Sequence, residues 1–374
     1  MIEMINTYRF IVVFLCFSIA QSLSANQIFN IEIITEKLNS PWGMALLPDN
    51  RFLVTERSGN LRYVNRDGKV SAPISGLPKI AAVGQGGLLD VTLHPQFQRN
   101  RKIYFSFVEG NRFGGYSTEV AVAELNDNHL ENVRVIFRSM PKLRGGRHFG
   151  GRLLIDNNDF LYLSLGDRGE RHLSQELNSH HGSMIRLHLD GSIPDDNPFI
   201  GRTDSLPEIF SFGHRNIQGL ALHPQTGQVW SHEHGPQGGD EVNLIIKGAN
   251  YGWPVITYGV NYVIGTTIGE GTHKDGMLQP VHHWDPSIAP SGMAFYRGDA
   301  FFNWQNDALI GALKLQHLNR LQFNGEVVVA EHRYLENSLG RVRDVRVGDD
   351  GFIYLLTDAY NGKLVKLSPK IKNQ

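Results

Sequence analysis

A short two-stranded pattern recurs along this chain and leaves few folds open to it. Each copy is an apolar strand, a turn rich in Pro, Asp, Asn or Gly, and a second apolar strand. It reads GMALLPDNRFLVTE at 43–56 and LLDVTLHPQFQRNRKIYFSF at 88–107. It returns as GRLLIDNNDFLYLSL at 151–165, QGLALHPQTGQVWSHE at 218–233 and VRDVRVGDDGFIYLLT at 342–357. A degenerate copy is SGMAFYRGDAFFNWQNDALIGAL at 291–313. Strand-like runs such as EVAVAEL, SMIRLHL and EVNLII follow most copies, and only parts of 170–187 admit a helix. Six related antiparallel units predict an all-β fold, a six-bladed β-propeller with four-stranded antiparallel blades. An ordinary sandwich or barrel accounts less well for six similar hairpins. The C-terminal run KLVKLSP is expected to share a blade with FNIEIITEKL at 29–38, which would close the ring. The 40 glycines among 374 residues fit the many tight turns of such a fold.

The first residues have a different character. Arg9 precedes an apolar run at 10–20, and small and polar residues follow up to Ala25. Residues 1–25 therefore read as a cleaved signal peptide, leaving 26–374 as a single propeller domain. Glu3 partly offsets Arg9, and an uncleaved anchor is the alternative. The run is short for a membrane span, so no stable membrane insertion is expected. Cys16 is the only cysteine and lies in this segment. An exported chain without further cysteine points to a bacterial periplasm. The net charge of −1 gives no sign of a nucleic-acid partner.

The polar residues that stand out precede the first strand of successive units. Gln85 precedes the second unit, His148 the third, and Arg215 with Asn216 the fourth, while Arg341 and Arg343 open the sixth. If first strands line the propeller axis, these residues converge on one mouth of the channel. His148 and Asp167 stand at the two ends of a hairpin, where a carboxylate can fix a histidine tautomer and raise its basicity. A turn-capping Asp and a surface His are the bland alternative. Arg341 and Arg343 share one face of a strand and repel unless an anion or carboxylate lies between them. Lys314 is a further cation for the same mouth, and together these groups suit a polyanionic small ligand. A solvated edge is the alternative reading of all three.

The stretch EHGPQGGDEVNL at 233–244 combines hard oxygen donors with glycines and suits calcium. Its spacing matches no EF-hand, and of the adjacent Asp240 and Glu241 at most one would serve a given ion. His232 and His234 leave a transition metal open, and a metal-free turn is also possible.

At these residues the chain resembles the soluble aldose sugar dehydrogenases of the glucose/sorbosone dehydrogenase family. The likeness runs from PWGMALLPD to GKLVKLSP and is most specific in GHRNIQGLALHP, EHGPQGGDEVNLI, NYGWP and GRVRDVRVGDDGFIYLLTD. It implies a six-bladed propeller that uses pyrroloquinoline quinone (PQQ) and calcium to oxidise aldose sugars at the anomeric carbon. On that resemblance His148 is the base, Asp167 orients it, and Arg215 stands beside the quinone oxygens. Gln85, Asn216, Tyr262, Lys314, Arg341 and Arg343 are the implied PQQ contacts. One calcium is implied at the carbonyls of Gly235 and Pro236, and a second near Glu241 and the carbonyl of Tyr251. An external electron acceptor is implied as a partner. The residue before the base is acidic in well-known glucose-oxidising members but is Arg147 here. That departure speaks against glucose-type substrate contacts but not against the base, and the compact chain, without long insertions between units, suggests broad aldose specificity and a monomer. The competing readings are a calcium-dependent lactonase and a non-catalytic binding propeller. The arginine pair speaks against the lactonase, because a neutral lactone offers it no partner.

Overall fold

The protein is described here by a computed structural model covering residues 28–370. The expected signal peptide at 1–25, with Cys16, lies outside these residues. Six antiparallel sheets are arranged in a ring, and the described residues include only short helical turns. Blades one to five follow chain order, starting at Pro41, Leu88, Leu153, Ile217 and Pro290. Blade six is made from both ends of the described chain. Its strands Val342–Val347, Ile353–Thr357 and Gly362–Pro369 are completed by Phe29–Leu38, which pairs antiparallel with Gly362–Pro369. The expected ring closure is therefore present.

The four-strand expectation holds for five of the six blades. Blade one has three strands: Pro41–Leu46, Phe52–Glu56 and Asn60–Val64. The residues that follow still track its outer edge, with Ser71 N donating to Tyr63 O (2.9 Å) and Ile74 N to Leu61 O (2.8 Å). Pro73 lies between them and has no N–H to continue a ladder.

The first strand of every blade touches the first strands of its two neighbours, so these six strands line the axis. Side chains alternate along each strand, and each face meets the next blade. Every seam between blades accordingly has its own apolar core. Leu53 and Leu61 meet Leu88 and Phe105 between blades one and two, for example, and Leu309 and Tyr296 meet Val342 and Leu355 between five and six. Hydroxyls reinforce three consecutive seams. Thr55, Ser106 and Ser164 each donate from a second strand to a backbone carbonyl of the next blade: Leu89, Gly151 and Ile217.

The channel is closed by charge. Arg152 is fully buried, and its Nη1 reaches Asp344 (2.9 Å) and Asp90 (3.3 Å). Arg346 adds a second guanidinium to Asp90 (3.1 Å). The other carboxylate oxygens accept backbone N–H groups, Leu153 at Asp90 and Met44 at Asp344, both at 3.0 Å. Blades one, two, three and six are thereby tied together at the axis.

First strands all begin at the same end of the ring. Two kinds of segment therefore reach that end: the linkers between blades, and the turns joining second to third strands.

Candidate active site

His148 lies in the linker entering blade three, and Asp167 in the turn after that blade's second strand, Phe160–Ser164. The two meet, with His148 Nδ1 2.6 Å from Asp167 Oδ1. Asp167 is almost wholly buried and accepts two further bonds, from Gly169 N (2.7 Å) and Trp253 Nε1 (2.9 Å). Burial pushes its carboxyl up, but the His148 bond, the nearby Arg215 charge and the Gly169 N–H hold it below the ordinary range. An ionised acceptor at Nδ1 fixes the proton there and leaves Nε2 as the lone-pair nitrogen. Burial, opposed by the Asp167 bond and assisted by the charges of Arg215 and Arg147, holds His148 below the ordinary histidine range. The ring is thus neutral and competent as a base at neutral pH.

The backbone at His148 is held in the left-handed region, φ 52°. Several bonds maintain that conformation. His148 N donates to Gln85 Oε1 (2.7 Å), and Gln85 N donates to Gly146 O (2.7 Å). Buried Arg168 donates to the carbonyls of Arg147 (2.9 Å), Gly145 (2.8 Å) and Tyr116 (2.9 Å), while its guanidinium lies 3.7 Å over Phe149. Burial brings the Arg168 guanidinium down to about 10. Gly166 packs under the base, where a Cβ would stand 2.3 Å from the His148 carbonyl oxygen.

Arg215 and Asn216 follow in the linker entering blade four. Arg215 is buried. Its Nη1 donates to His234 O (2.9 Å), its guanidinium lies 5.3 Å from the Trp253 ring, and its Nε is buried without a partner among the described residues. Glu233 secures this linker by accepting Arg215 N (2.5 Å) and His214 Nδ1 (2.8 Å). Asn216 Oδ1 accepts Gly150 N (3.3 Å), which joins two linkers.

Two cavities open side by side at this mouth and share Gln85. The first, about 290 Å³, is lined by Asn216, Arg341 and Arg343, with Trp42 and Phe149 as its aromatic walls. The second, about 390 Å³, contains His148, Asp167, Arg215, Trp253 and Tyr262. Tyr262, an implied cofactor contact, therefore stands beside the base in the second cavity. Lys314 is exposed and lines neither, although its neighbour Leu313 borders the first.

The arginine pair has a partner that the sequence reading did not supply. Asp358 accepts from Arg341 (2.8 Å) and from Arg343 (3.1 Å). This carboxylate relieves the repulsion between them, so the charge-based case against a lactonase loses force. One capacity remains: Arg343 Nε is buried beside the first cavity without a partner among the described residues.

The acid-rich turn holds backbone, not substrate. Asp240 accepts Gly235 N (2.8 Å), Ser287 Oγ (2.5 Å) and Ala289 N (2.8 Å), which fastens the turn to the next linker. Gly235 admits no side chain, since a Cβ would meet Gly238 O and Gly239 C at 2.3 Å. Gly235 and Pro236 follow His234, which borders the first cavity. His234 is pushed down to about 3 by burial, and its Nε2 contacts Pro290 O (2.6 Å). Glu241 and Tyr251 lie away from both cavities. Glu241 sits directly opposite Glu233 on paired strands. Burial and the Glu233 charge push it well above the ordinary range, and among the described residues only Asn243 Nδ2 (3.3 Å) donates to its side chain. Tyr251 stacks on His214 at 4.4 Å. No group of three His, Cys, Asp or Glu side chains suited to a metal occurs among the described residues.

The family model for glucose/sorbosone dehydrogenase matches residues 38–366. The chain belongs to the glucose/sorbosone dehydrogenase family. It is 44% identical to the aldose sugar dehydrogenase YliI of Escherichia coli over 366 residues, covering 96% of this chain and 98% of that one. The solved apo-form of the soluble aldose sugar dehydrogenase from Escherichia coli superposes with a TM-score of 0.89 at 45% identity, covering 91% of this chain and all of the other. The PQQ-bound aldose sugar dehydrogenase from Streptomyces coelicolor superposes at 0.74 with 27% identity, covering 91% and 98%. The chain is thus an oxidoreductase on a quinoprotein scaffold. Within this dehydrogenase fold, Trp253, Arg168, Arg171 and Asp358 are site residues that sequence reasoning missed. Two of them had a signal: Trp253 lies in the NYGWP motif, and Asp358, like Asp167, closely follows the second strand of its blade.

Proposed function

We propose that the protein is a periplasmic, PQQ- and calcium-dependent dehydrogenase that oxidises aldoses at the anomeric carbon to the lactone. The observation that carries this reading is the His148–Asp167 pair, whose free Nε2 belongs to a cavity bordering a second one walled by aromatics and arginines. PQQ is flat and carries three carboxylates. Trp42 and Phe149 suit its rings, and the unpartnered Nε atoms of Arg343 and Arg215 suit its anionic oxygens. When bound, PQQ would supply a quinone able to accept the anomeric hydrogen with its two electrons, as hydride, and to pass the electrons on to an external acceptor. His148 Nε2 takes the proton of the anomeric hydroxyl. Asp167 and Trp253 hold the imidazole in place and stabilise the charge it gains. Arg215 balances negative charge that develops beside it. Gln85, Asn216, Arg341 and Arg343 would hold the cofactor, with Lys314 and Tyr262 at its margins.

Calcium would be held by the carbonyls of Gly235 and Pro236 at the mouth. A second ion would lie at Glu241 with the carbonyl of Tyr251. The apposed Glu233 and Glu241 carboxylates favour a cation, and carbonyl ligands suit calcium. Residues 1–25 support export to the periplasm, and the compact chain supports a monomer. Among the described residues no helix is long and apolar enough to cross a membrane.

The test adds PQQ and calcium to the purified protein and follows dye reduction with several aldoses. Reduction that requires both additions is expected. Failure with every aldose, or acid release from lactones without PQQ, overturns the proposal.

A further inference from the structure

The cavity that contains His148 is strongly cationic, in a way its chemistry with a neutral sugar does not require. Three guanidinium groups line it, from Arg147, Arg171 and Arg215. Asp167 is the one carboxylate among its described lining residues, and it is engaged by His148, Trp253 and Gly169. Glu170 follows on the same turn but does not line the cavity.

None of the three guanidiniums holds a carboxylate among the described residues. Arg147 is exposed, makes no side-chain hydrogen bond or ion pair there, and leans across the turn bearing Asp167. Its Cδ lies 3.1 Å from where a Cβ on Gly169 would stand. Arg171 opens the short helix Arg171–Gln175. One edge of its guanidinium donates to Asn261 Oδ1 (2.9 Å), and its face lies 5.4 Å from Trp253. Arg215 lies at a similar distance from the same indole, 5.3 Å. Stacking fixes a guanidinium while leaving N–H edges free for an anion. Arg215 is accounted for by the reaction itself, whereas Arg147 and Arg171 are not.

We propose that this cavity selects aldoses carrying an anionic group remote from the anomeric carbon, a carboxylate or a phosphate, held by Arg147 and Arg171. This rests on the dehydrogenase reading above and narrows its substrate class. His148 fixes one end of the sugar by its reacting hydroxyl. The two arginines come from different segments of the rim, the linker before blade three and the turn within it. They are positioned to receive the opposite end. The preference should be electrostatic, and hence weakened by salt.

The test compares D-glucose, D-glucuronate and D-glucose 6-phosphate with the PQQ- and calcium-loaded enzyme. At least one anionic sugar should exceed D-glucose in kcat/KM by roughly tenfold, the scale of one charge-assisted hydrogen bond. Glucuronate alone would identify a carboxylate site, and the phosphate alone a phosphate site. Added salt should shrink the advantage. Arg147→Gln and Arg171→Gln should each lower the anionic-to-neutral ratio, and Arg171→Lys should restore part of it. A wild-type ratio at or below one, or a ratio unmoved in both glutamine variants, overturns the proposal. Calorimetric titration of the cofactor-free protein with the same three sugars separates the two readings. Anion-selective binding without oxidation of any sugar keeps the cationic site and removes the dehydrogenase. Oxidation of D-glucose without anion preference does the reverse.

Discussion

The channel plug and the channel mouth use the same kinds of residue to opposite ends. In the plug, Arg152 and Arg346 are matched by Asp90 and Asp344, and the other carboxylate oxygens accept backbone N–H groups. At the mouth, Arg147, Arg171 and Arg215 have no carboxylate of their own among the described residues, and Arg343 shares one with Arg341. Buried charge with its partner in place fixes the relation between blades. Charge without a partner is free to meet a ligand. The difference teaches that an arginine's role in a propeller depends on which acids the adjacent turns contribute, more than on its own place in the repeat.

The sharpest way to break this contrast is to disable the mouth without touching the plug. His148→Gln should lower kcat by about 10²–10⁴-fold while thermal stability and PQQ affinity stay near wild type. Loss of PQQ binding in that variant would contradict the role of base. The converse is Arg152→Met, which leaves Asp90 and Asp344 buried beside one remaining guanidinium. It should destabilise the fold by about 3–5 kcal/mol in chemical denaturation. Arg343→Met should cost only about 1–2 kcal/mol, because Arg341 still holds Asp358, and should mainly weaken PQQ in a titration. Equal stability losses in the two variants would erase the distinction between plug and mouth. Trp253→Phe removes one donor from Asp167 and should slow turnover by roughly tenfold, within the range for a bond to a charged group. An unchanged rate would mean that Gly169 and His148 suffice to orient the carboxylate.

The smallest effect concerns pH. His148 works unprotonated and sits below the ordinary histidine range, so activity should be complete at neutral pH and fall only as pH drops through that lowered value. Arg147 contributes to the lowering. Arg147→Gln should therefore move the acid limb of kcat/KM toward higher pH by a fraction of a unit. A limb that moves the other way, or not at all, would show that Arg147 does not act on the base.

Sequence reasoning reached half of the mouth through a single rule. Gln85, His148, Arg215, Asn216 and Arg341 stand at repeat boundaries, which become linkers at one end of a ring, and Arg343 stands near the start of the strand that follows Arg341. The same repeat located all six blades and their closure. It did not reveal that Pro73 leaves blade one without a fourth strand, because one missing donor barely alters a hydrophobic pattern. The turns inside blades were harder to read. Asp358 partners Arg341 and Arg343 across 17 and 15 residues, and no periodicity marks that turn. Trp253 reaches Asp167 over a separation of 86 residues, a contact made only when blade four packs against blade three. Arg168 reads as one more loop cation until its three carbonyl partners are seen together.

The pairing of Phe29–Leu38 with Gly362–Pro369 has a consequence for how the protein is made. Its partners lie more than three hundred positions apart, as Asn30 with Ser368. Such a latch is a late and slow event, since entropy opposes the meeting of distant segments until other contacts reward it. His148 comes from the third blade's entrance, Arg215 from the fourth's and Arg343 from the sixth. The wall of the first cavity takes Trp42, Gln85, Phe149, Asn216, Ala289 and Arg343 from around the whole ring, so it is complete only when the circle shuts. A nascent chain that lacks its last strand can already bring His148 to Asp167 but has not closed the ring around the first cavity, so a complete mouth is coupled to completed synthesis by geometry alone.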